Sequence, residues 1–518
     1  MFIPLIFYFF ATATAWVYPN PQLEALDRLR WDQTGFNALG ISIFVGPCNF
    51  FFVDTNATGR SDAADWIRTA YHDMATHNAN DGTGGLDASI RFGEEQVRSE
   101  NVGDGFNNTL SILGIGASRY VSLADTIAVG AIMAFENCGG PEIPFRGGRV
   151  DADGPNTPGV PEPQDSLDSH IAAFARQGFT QTEMISLVAC GHSFGGVQHA
   201  LFPDVVPDLN DPTNRQSVQH FDSTFTNFDN KVASEYIAGT TQNPLVVGLN
   251  DTKNSDKRIF GSDGNATMLS FANSPQLFAT TCSSLIARMV DTVPNGVQLT
   301  EVVTPLSVKP ANLQLILNGD NMVITADVRF WNMTFDANRV ILMLWDDHAG
   351  GTHNTTLAAR RAGTSSAIND RYSALWYGLD NFAFDGLAGI KTMRFTVNGE
   401  LEDQDGLGFV VDDSVIFSAS SCLFSPHPLA GRLDVAVRNG VNPSRIFLEN
   451  VKIDSSGHPV ITETDIPPPA QPIAANAVYS IWSHNVTDNN LYRIVAEVDG
   501  VNISTWANPA GVFSSCPS

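Results

Sequence analysis

The chain has 518 residues, 43% of them hydrophobic, so it is long enough for two or three domains with substantial cores. Asp and Glu outnumber Lys and Arg by 55 to 29, which gives a formal net charge of -26. This acidity argues against nucleic acid or an anionic membrane as a partner. Beyond the N-terminus no window of 18 uninterrupted apolar residues occurs, so no transmembrane helix is expected.

The N-terminus has the pattern of a secretory signal. Residues 1–15 contain an apolar run followed by the small-x-small pattern Ala13-Thr-Ala15, although no Lys or Arg precedes the run. Six cysteines in an oxidising compartment would favour disulfides, but their spacing leaves fifteen pairings open. Eight glycosylation sequons begin at Asn56, Asn107, Asn250, Asn265, Asn332, Asn354, Asn485 and Asn502. We therefore expect a secreted, extracellular glycoprotein.

Between residues 21 and 297, stretches with helical patterns alternate with long loops rich in Gly, Asp and Asn. Ser61-Asp62 predicts the N-cap of a helix that runs through His72. Thr180-Gln-Thr-Glu183 is a capping-box pattern and predicts a second helix that ends near Cys190. Residues 123–135 and 283–293 also have helical patterns. A mainly helical domain is therefore predicted over residues 16–302.

After Val303 the sequence alternates apolar and polar residues with period 2, which is typical of strands. Asn-Gly pairs at 318, 398 and 439, and Asp499-Gly500, predict hairpin turns. Strands at this spacing indicate one or two β-sandwiches, which we assign to residues 303–425 and 426–518. Cys422 and Cys516 both lie in this region and are a candidate disulfide. The predicted fold class is therefore multidomain, a helical domain followed by an all-β region.

The motif Arg68-Thr-Ala-Tyr-His72-Asp73 carries the first chemical signal. On a helix, Arg68 and His72 are i and i+4, so their side chains project from one face and reach one small ligand together. In peroxide cleavage the histidine can move a proton between the two oxygens while the arginine stabilises the developing charge. Taken alone, the motif also fits an exposed arginine and a core histidine on an amphipathic helix.

Hard oxygen ligands follow this motif. Gly85, Asp87 and Ser89 offer a carbonyl, a carboxylate and a hydroxyl, and Asp73 adds a second carboxylate. Calcium prefers six to eight such oxygens, so the set predicts a Ca²⁺ site. A polar, glycine-rich loop without a metal is the alternative.

His192, in Cys190-Gly-His-Ser193, has three interpretations. The first is a ligand to iron. The second places Ser193 at the nucleophile elbow of an α/β-hydrolase, because Gly191-His-Ser-Phe-Gly195 fits Gly-x-Ser-x-Gly. The third is a core histidine without chemistry. The capping box at Thr180 favours iron over the elbow, because it begins a helix where the elbow needs a strand.

Residues 40–300 resemble the plant, fungal and bacterial haem peroxidase superfamily, and most of all its secreted fungal branch, class II. The resemblance rests on the Arg-x-x-x-His-Asp block and the His-Ser block together. It implies that Arg68 and His72 form the distal pair and that His192 is the axial ligand of haem b. It also implies that Glu95 and Asn101 belong to the relay that orients His72.

The resemblance assigns further residues. It implies that Asp263 accepts the proximal histidine's Nδ1–H, that Phe221 replaces a tryptophan beside that histidine, and that His199 contacts a haem propionate. Tyr71 stands where the secreted branch has phenylalanine. It implies two calcium ions, with Asp73, Gly85, Asp87 and Ser89 in the distal site and Ser193, Asp222, Thr224, Asn227 and Asp229 in the proximal one. Cys48 is implied to pair with Cys138, while Cys190 and Cys282 have no evident family partners.

Departures from the family pattern narrow the expected electron donor. The three carboxylates of manganese-oxidising members correspond to Ser61, Asp65 and Gln198, so only one carboxylate is present. The surface tryptophan of lignin peroxidases corresponds to Leu187. The resemblance therefore implies hydrogen peroxide as the oxidant and phenolic or similar small aromatic donors, oxidised at the haem edge.

Two other functions stay open at this point. One is a secreted serine hydrolase with Ser193 as nucleophile. The other is a polymer-binding protein, in which the β region attaches a degenerate peroxidase domain to polysaccharide or cell wall. A β region that only stabilises the helical domain is the plainer alternative.

Overall fold

The computed structural model describes residues 16–367, 371–424, 430–455, 457–471, 473–487, 492–507 and 514–516. The predicted signal segment, 1–15, lies outside these ranges. The helices are α1 Pro21–Trp31, α2 Asp62–Met74, α3 Gly93–Gln96, α4 Gly105–Leu113, α5 Leu123–Asn137, α6 Leu167–Arg176, α7 Gln181–Gly191, α8 Lys231–Ala238, α9 Pro244–Val247, α10 Ser255–Phe260, α11 Ala266–Asn273 and α12 Pro275–Val290. In the described part of the chain, no helix is long and apolar enough to cross a membrane.

Side-chain caps fix where the central helices begin. The Ser61 side chain accepts from the Ala64 amide at the start of α2, and Thr180 and Glu183 form the reciprocal capping box of α7. Both predicted starts are confirmed. Helix α12 begins at Pro275 rather than at residue 283, because Ser274 caps it and proline is favoured in the first helical turn.

Nearly all the strands lie after residue 303. They are β1 Thr34–Gly35, β2 Gly196–Gln198, β3 Val218–His220, β4 Val308–Asn318, β5 Asn321–Trp331, β6 Ile341–Asp346, β7 Thr352–Thr356, β8 Ala358–Ala367, β9 Tyr372–Asp385, β10 Thr392–Val397, β11 Glu400–Glu402, β12 Phe409–Val410, β13 Val415–Ser418, β14 Cys422–Leu423, β15 Gly431–Arg438, β16 Arg445–Ile453, β17 Pro459–Asp465, β18 Ile473–Ala474, β19 Tyr479–Val486, β20 Tyr492–Val498, β21 Val501–Ala507 and β22 Ser514–Ser515. The fold class predicted from the sequence is confirmed.

One long sheet runs through the whole β region. Its order is β1-β8-β9-β5-β4-β13-β15-β14-β22, with β19 on β15 and β18 on β19. One end of it packs against the sheet β11-β10-β6-β7, and the other against β17-β16-β20-β21, around two separate apolar cores. The predicted border at 425/426 does not separate two sheets. Strand β13, before the border, pairs both with β4 and with β15, which follows the border.

Of the four predicted hairpin turns in the β region, three form and one does not. At Asn398-Gly399 and Asp499-Gly500 both residues have positive φ, and each pair joins two antiparallel neighbours. Gly319 lies in the turn between β4 and β5. Asn439-Gly440 does not form the predicted hairpin, because β15 and β16 belong to different sheets.

A buried group of four charges joins the first helix to the β region. Arg329 donates from Nη1 to Asp32 Oδ1 at 2.7 Å and from Nη2 to Asp27 Oδ2 at 2.9 Å. Lys309 donates to both carboxylates, at 2.9 Å to Asp32 Oδ2. Beside this interface cluster the Trp31 ring meets the Trp331 ring edge-on, with centroids 5.6 Å apart. The helical and β parts therefore share a buried polar interface.

Three disulfides link the six cysteines. Cys48–Cys138 has the pairing implied by the family resemblance, and Cys422–Cys516 the pairing proposed from position alone; both predictions are confirmed. The third joins Cys190, at the end of α7, to Cys282 in the middle of α12. This bond answers the question that the sequence left open for these two cysteines.

Candidate functional site

Helix α2 presents Arg68 and His72 on one face. The helix is amphipathic, with Trp66, Ile67 and Ala70 among the residues that it buries in the helical core. Arg68 Nη2 donates to the carbonyl of Val102 at 2.9 Å, and the guanidinium lies 4.5 Å from the centroid of the Phe106 ring. The geometry predicted for this pair from i, i+4 spacing is present.

The orientation of His72 is fixed by a chain of hydrogen bonds. Its Nδ1 lies 2.7 Å from Asn101 Oδ1, and the Asn101 amide nitrogen donates to the Glu95 carbonyl at 2.9 Å. Since an amide oxygen only accepts, Nδ1 carries the proton and Nε2 presents its lone pair. Burial, together with the positive charge of Arg68, lowers the pKa of His72 to about 3. The neutral, proton-accepting form therefore persists into strongly acidic solution.

His192 is the C-cap residue of α7 and is fixed in the same way. Its Nδ1 lies 2.7 Å from Asp256 Oδ2, which also accepts from Asn243 Nδ2 at 2.8 Å. The Phe221 ring stacks on the imidazole, with centroids 4.1 Å apart and planes 11° apart. This arrangement leaves Nε2 of His192 as its available ligand atom, and the 29% exposure of the side chain leaves room beside it.

Asp256, and not Asp263, is the carboxylate that holds His192. The prediction of Asp263 is wrong. That residue lies before α11, where its Oδ2 accepts from the amide and hydroxyl of Thr267. Asp256 is 1% exposed in the first turn of α10, behind His192. The available sequence signal was Asn254-Ser-Asp256, a polar run that opens a short helix.

Ser193 is not placed as a nucleophile. Its hydroxyl is buried and donates to the carbonyl of Cys190 at 2.7 Å. A helix, α7, precedes it, whereas a nucleophile elbow needs a strand before the serine. The hydrolase interpretation is therefore rejected.

The residues present fit a haem group between α2 and α7. Two imidazoles from different helices each have Nδ1 engaged by an oxygen acceptor, so each has Nε2 left for chemistry. One of them rests against a carboxylate, which makes it a stronger ligand to iron, and the other lies beside an arginine. A neutral base with an adjacent cation on one side and an anion-supported imidazole on the other suits peroxide activation at iron.

The proximal oxygen set of Ser193, Asp222, Thr224, Asn227 and Asp229 is partly assembled. Asp222 Oδ1 accepts from the Thr224 amide at 2.9 Å, and Thr224 Oγ1 donates to Asp229 Oδ1 at 3.1 Å. Among the described residues, none makes a well-formed hydrogen bond to the buried Asp222 Oδ2, although the carboxylate also interacts with the Val232 backbone amide. Such a carboxylate oxygen beside neutral oxygens fits a hard cation.

The distal set of Asp73, Gly85, Asp87 and Ser89 also comes together, but with an additional side chain. The Asn156 amide nitrogen lies 3.0 Å from Ser89 Oγ and within hydrogen-bond distance of both Asp87 oxygens. Sequence reasoning did not single out Asn156, which lies in an irregular loop. Within the described ranges, no three His, Cys, Asp or Glu side chains are grouped so that they could hold a metal.

Two other predicted site residues, Tyr71 and His199, pack against neighbouring parts of the chain. The Tyr71 ring stacks on Phe174 with centroids 5.9 Å apart, and its buried hydroxyl lies beside the Gln177 side chain. Burial raises the pKa of that phenol. His199 donates from Nδ1 to the Val206 carbonyl at 2.7 Å, so Nε2 of the neutral imidazole carries the lone pair.

Comparison with known proteins agrees with this geometry. A family model described as peroxidase matches residues 52–301. A WSC domain-containing protein of Arthroderma benhamiae is 35% identical over 514 residues, which is 95% of this chain and 68% of the relative. L-ascorbate peroxidase 5 of Arabidopsis thaliana is 33% identical over 27% of this chain, and manganese peroxidase 2 of Phlebia radiata is 28% identical over 39%. The chain spans about half the length of these two peroxidases, 49% and 47%.

Proposed function

The chain belongs to the peroxidase family through its residues 52–301, and from that premise we propose that it is a haem peroxidase that reduces hydrogen peroxide with small aromatic donors. The observation that carries this proposal is the pair of fixed imidazoles, His72 held by Asn101 and His192 held by Asp256. In each ring Nδ1 donates to an oxygen, so Nε2 keeps a lone pair that can bind iron or accept a proton.

The two sides of the site have different tasks. Haem bound at His192 would supply the electrons that split the O–O bond. Nε2 of His72 accepts the proton from the nearer peroxide oxygen and delivers it to the farther one, which leaves as water. The Arg68 guanidinium stabilises the negative charge that develops on the leaving oxygen. Two phenolic donor molecules then each give up one electron and one proton, and one peroxide becomes two waters.

We assign the donors to phenols and similar small aromatics because the two specialised routes lack their residues. The Asp65 carboxylate is engaged by Arg60 at 2.8 Å, and Ser61 caps α2, so neither offers a free manganese ligand. Leu187, at the position of the surface tryptophan, is only 4% exposed. Electron donation at the haem edge needs neither the manganese carboxylates nor the surface tryptophan.

Two further assignments belong to the proposal. One is a Ca²⁺ ion in the proximal set, supported by the buried Asp222 carboxylate, whose Oδ2 has no well-formed hydrogen bond to the described residues. The other is secretion: all six cysteines are paired, and every sequon asparagine except Asn250 has an exposed side chain, as glycosylation requires. Polymer binding by the β region stays a prediction.

The first test is haem reconstitution of the full chain. The wild type should bind one haem with a Soret band that shifts on addition of peroxide, and should oxidise guaiacol in proportion to peroxide consumed. His192→Ala should lose the five-coordinate spectrum, and added imidazole should restore it. A variant that keeps the five-coordinate spectrum without imidazole would show that another residue holds the iron.

The revised proximal partner gives a paired test. Asp256→Ala should weaken haem affinity or peroxide turnover by about 10- to 100-fold, because His192 loses the carboxylate that orients it and raises its basicity. Asp263→Ala is the matched control and should leave both unchanged. Haem titration measures the affinity, and guaiacol oxidation by the haem-loaded protein measures the turnover. The opposite ranking of the two variants would restore the original assignment.

A further inference from the structure

A cavity of about 170 Å³ lies between the helical part and the β region. The helical part contributes Trp31, at the end of α1, and Phe145 to its wall. The β region contributes Trp331, the last residue of β5, and Tyr372, the first residue of β9. None of its described lining residues belongs to α2 or α7, the two helices of the haem site. The cavity is therefore separate from that site, and both parts of the chain are needed to form it.

The aromatic rings of the cavity are held in place by other contacts. Trp31 Nε1 donates to the carbonyl of Val303 at 3.1 Å, and the Tyr372 hydroxyl donates to Glu142 Oε2 at 2.7 Å. The Trp331 ring lies between them, with its centroid 5.6 Å from that of Trp31 and 5.7 Å from that of Tyr372. Rings that are fixed in advance lose little conformational freedom when a ligand binds.

The size and lining of the cavity favour one aromatic ring. An engineered apolar cavity of about 150 Å³ binds benzene, so a volume of about 170 Å³ holds one six-membered ring and little more. Of the described lining residues, all except Arg30, Glu142 and Thr304 are apolar or aromatic. A sugar ring carries several hydroxyls, and most of them would be left without partners here. The cavity therefore suits an aromatic ring better than a carbohydrate.

Two buried polar atoms on lining residues suit a hydroxyl on that ring. Arg30 is 1% exposed and donates from Nη2 to Glu136 Oε1 at 2.7 Å. Among the described residues, none makes a well-formed hydrogen bond to Arg30 Nε or to the buried Thr304 Oγ1. A phenol hydroxyl both accepts and donates, so it can accept from Nε–H and donate to Oγ1. A ring without a hydroxyl would leave both atoms unpaired.

The charges around the cavity balance. Arg30 is paired with Glu136, and the opposite charges of Arg371 and Glu142 both act on Tyr372. A charged ligand would lose its hydration without finding an unpaired counter-charge, whereas a neutral phenol avoids this cost. A neutral ligand is therefore favoured over a benzoate or an aromatic ammonium ion.

We propose that this cavity is a binding site for a neutral phenol of one ring. Arg30 and Thr304 supply its polar atoms, while Trp331 and Tyr372 supply half of its aromatic wall from the β region. The β region thus has a part in ligand recognition as well as in stabilising the helical domain. Binding here needs neither haem nor peroxide, so this proposal and the peroxidase proposal can fail separately.

Phenol binding by the full-length chain tests the proposal. Equilibrium dialysis against saturating 4-fluorophenol counts the bound molecules, and the Soret band of the haem-loaded protein reports those beside the haem. Trp331→Ala should bind one molecule fewer per chain than the wild type, with and without haem, and should leave the Soret titration unchanged. Phe335→Ala removes an exposed ring from the loop after β5 and should match the wild type. Equal counts in the wild type and in Trp331→Ala that is folded by circular dichroism would overturn the proposal.

A smaller change keeps the test valid if Trp331→Ala does not fold. Thr304→Val keeps nearly the same shape but removes the hydroxyl, so the affinity of the cavity for 4-fluorophenol should fall about 2- to 10-fold. The affinity for fluorobenzene, which has no hydroxyl, should not fall. Thr280→Val, at an exposed threonine of α12, is the matched control. An unchanged affinity for 4-fluorophenol, an equal loss for both compounds, or equally tight binding of 4-fluorobenzoate would each overturn the proposal.

Discussion

Replacing His72 with leucine should slow the reaction of the haem-loaded protein with hydrogen peroxide by about 10²- to 10⁴-fold, the range expected for loss of a positioned acid–base group. The leucine fills similar space beside Phe106 but cannot accept the peroxide proton. Stopped-flow absorbance at the Soret band measures the rate. His353→Leu, the same change in the β region, should be neutral. A rate within a few-fold of the wild type would remove His72 from the mechanism.

The low pKa of His72 gives the same rate a defined pH dependence. The imidazole accepts a proton only when neutral, so the wild-type rate should stay level from neutral pH down to about 4 and fall as the pH approaches the value of about 3. Arg68 lowers this pKa, so in Arg68→Leu the fall should begin at a higher pH as well as from a lower plateau. A wild-type decline centred near 6.5, the ordinary histidine value, would contradict the buried site.

Replacing Arg329 with methionine should reduce the free energy of unfolding by about 3–5 kcal/mol, because it removes one of the two cations that the structure places beside the buried Asp27 and Asp32. Arg215→Ala, which removes a surface partner of Asp54, should change the stability far less, because water screens this pair. Calorimetry and denaturant titration measure both. Equal losses in the two variants would mean that the interface contributes nothing beyond a surface ion pair.

The buried charges at this interface also make the stability of the fold depend on pH in acidic solution. Burial alone would raise the pKa of Asp27, but Arg329 and Lys309 outweigh burial and lower it. A carboxylate whose pKa is lower in the folded than in the unfolded protein stabilises the fold at pH values above its unfolded pKa, about 4. This stabilisation is lost as the pH falls below that value and through the folded pKa. In Arg329→Met this part of the acid sensitivity should shrink.

The sequence sufficed for the parts of the site that depend on local spacing. Arg68 and His72 are one helical turn apart, and the capping box at Thr180 identified the helix that ends at His192. The partner of His192 could not be found in this way, because it comes from another helix and several acidic residues lie close in sequence. Asp256 and Asp263 are seven residues apart, and only the packing of α10 against α7 distinguishes them.

The position of Asn156 and the continuity of the long sheet could not be predicted either, because both depend on contacts between segments that are distant in sequence. An asparagine in an irregular loop has no periodicity, and its four oxygen partners come from three separate positions on the chain. In the β region, alternation predicted the strands, and three of the four predicted turn pairs lie in hairpins. It could not predict that β13 would pair with β4, a hundred residues earlier, and so unite the two units.

The buried charges at the interface also determine when the helical part can finish folding during synthesis. Lys309 follows Asp27 by 282 positions, and Arg329 follows it by 302. At about 5–20 residues per second, the ribosome releases Lys309 roughly 14–56 s after Asp27. During that interval the carboxylates of α1 and its C-cap lack their cationic partners, and burying them would be costly. We therefore expect the first helix to complete its docking only after the β region has been synthesised.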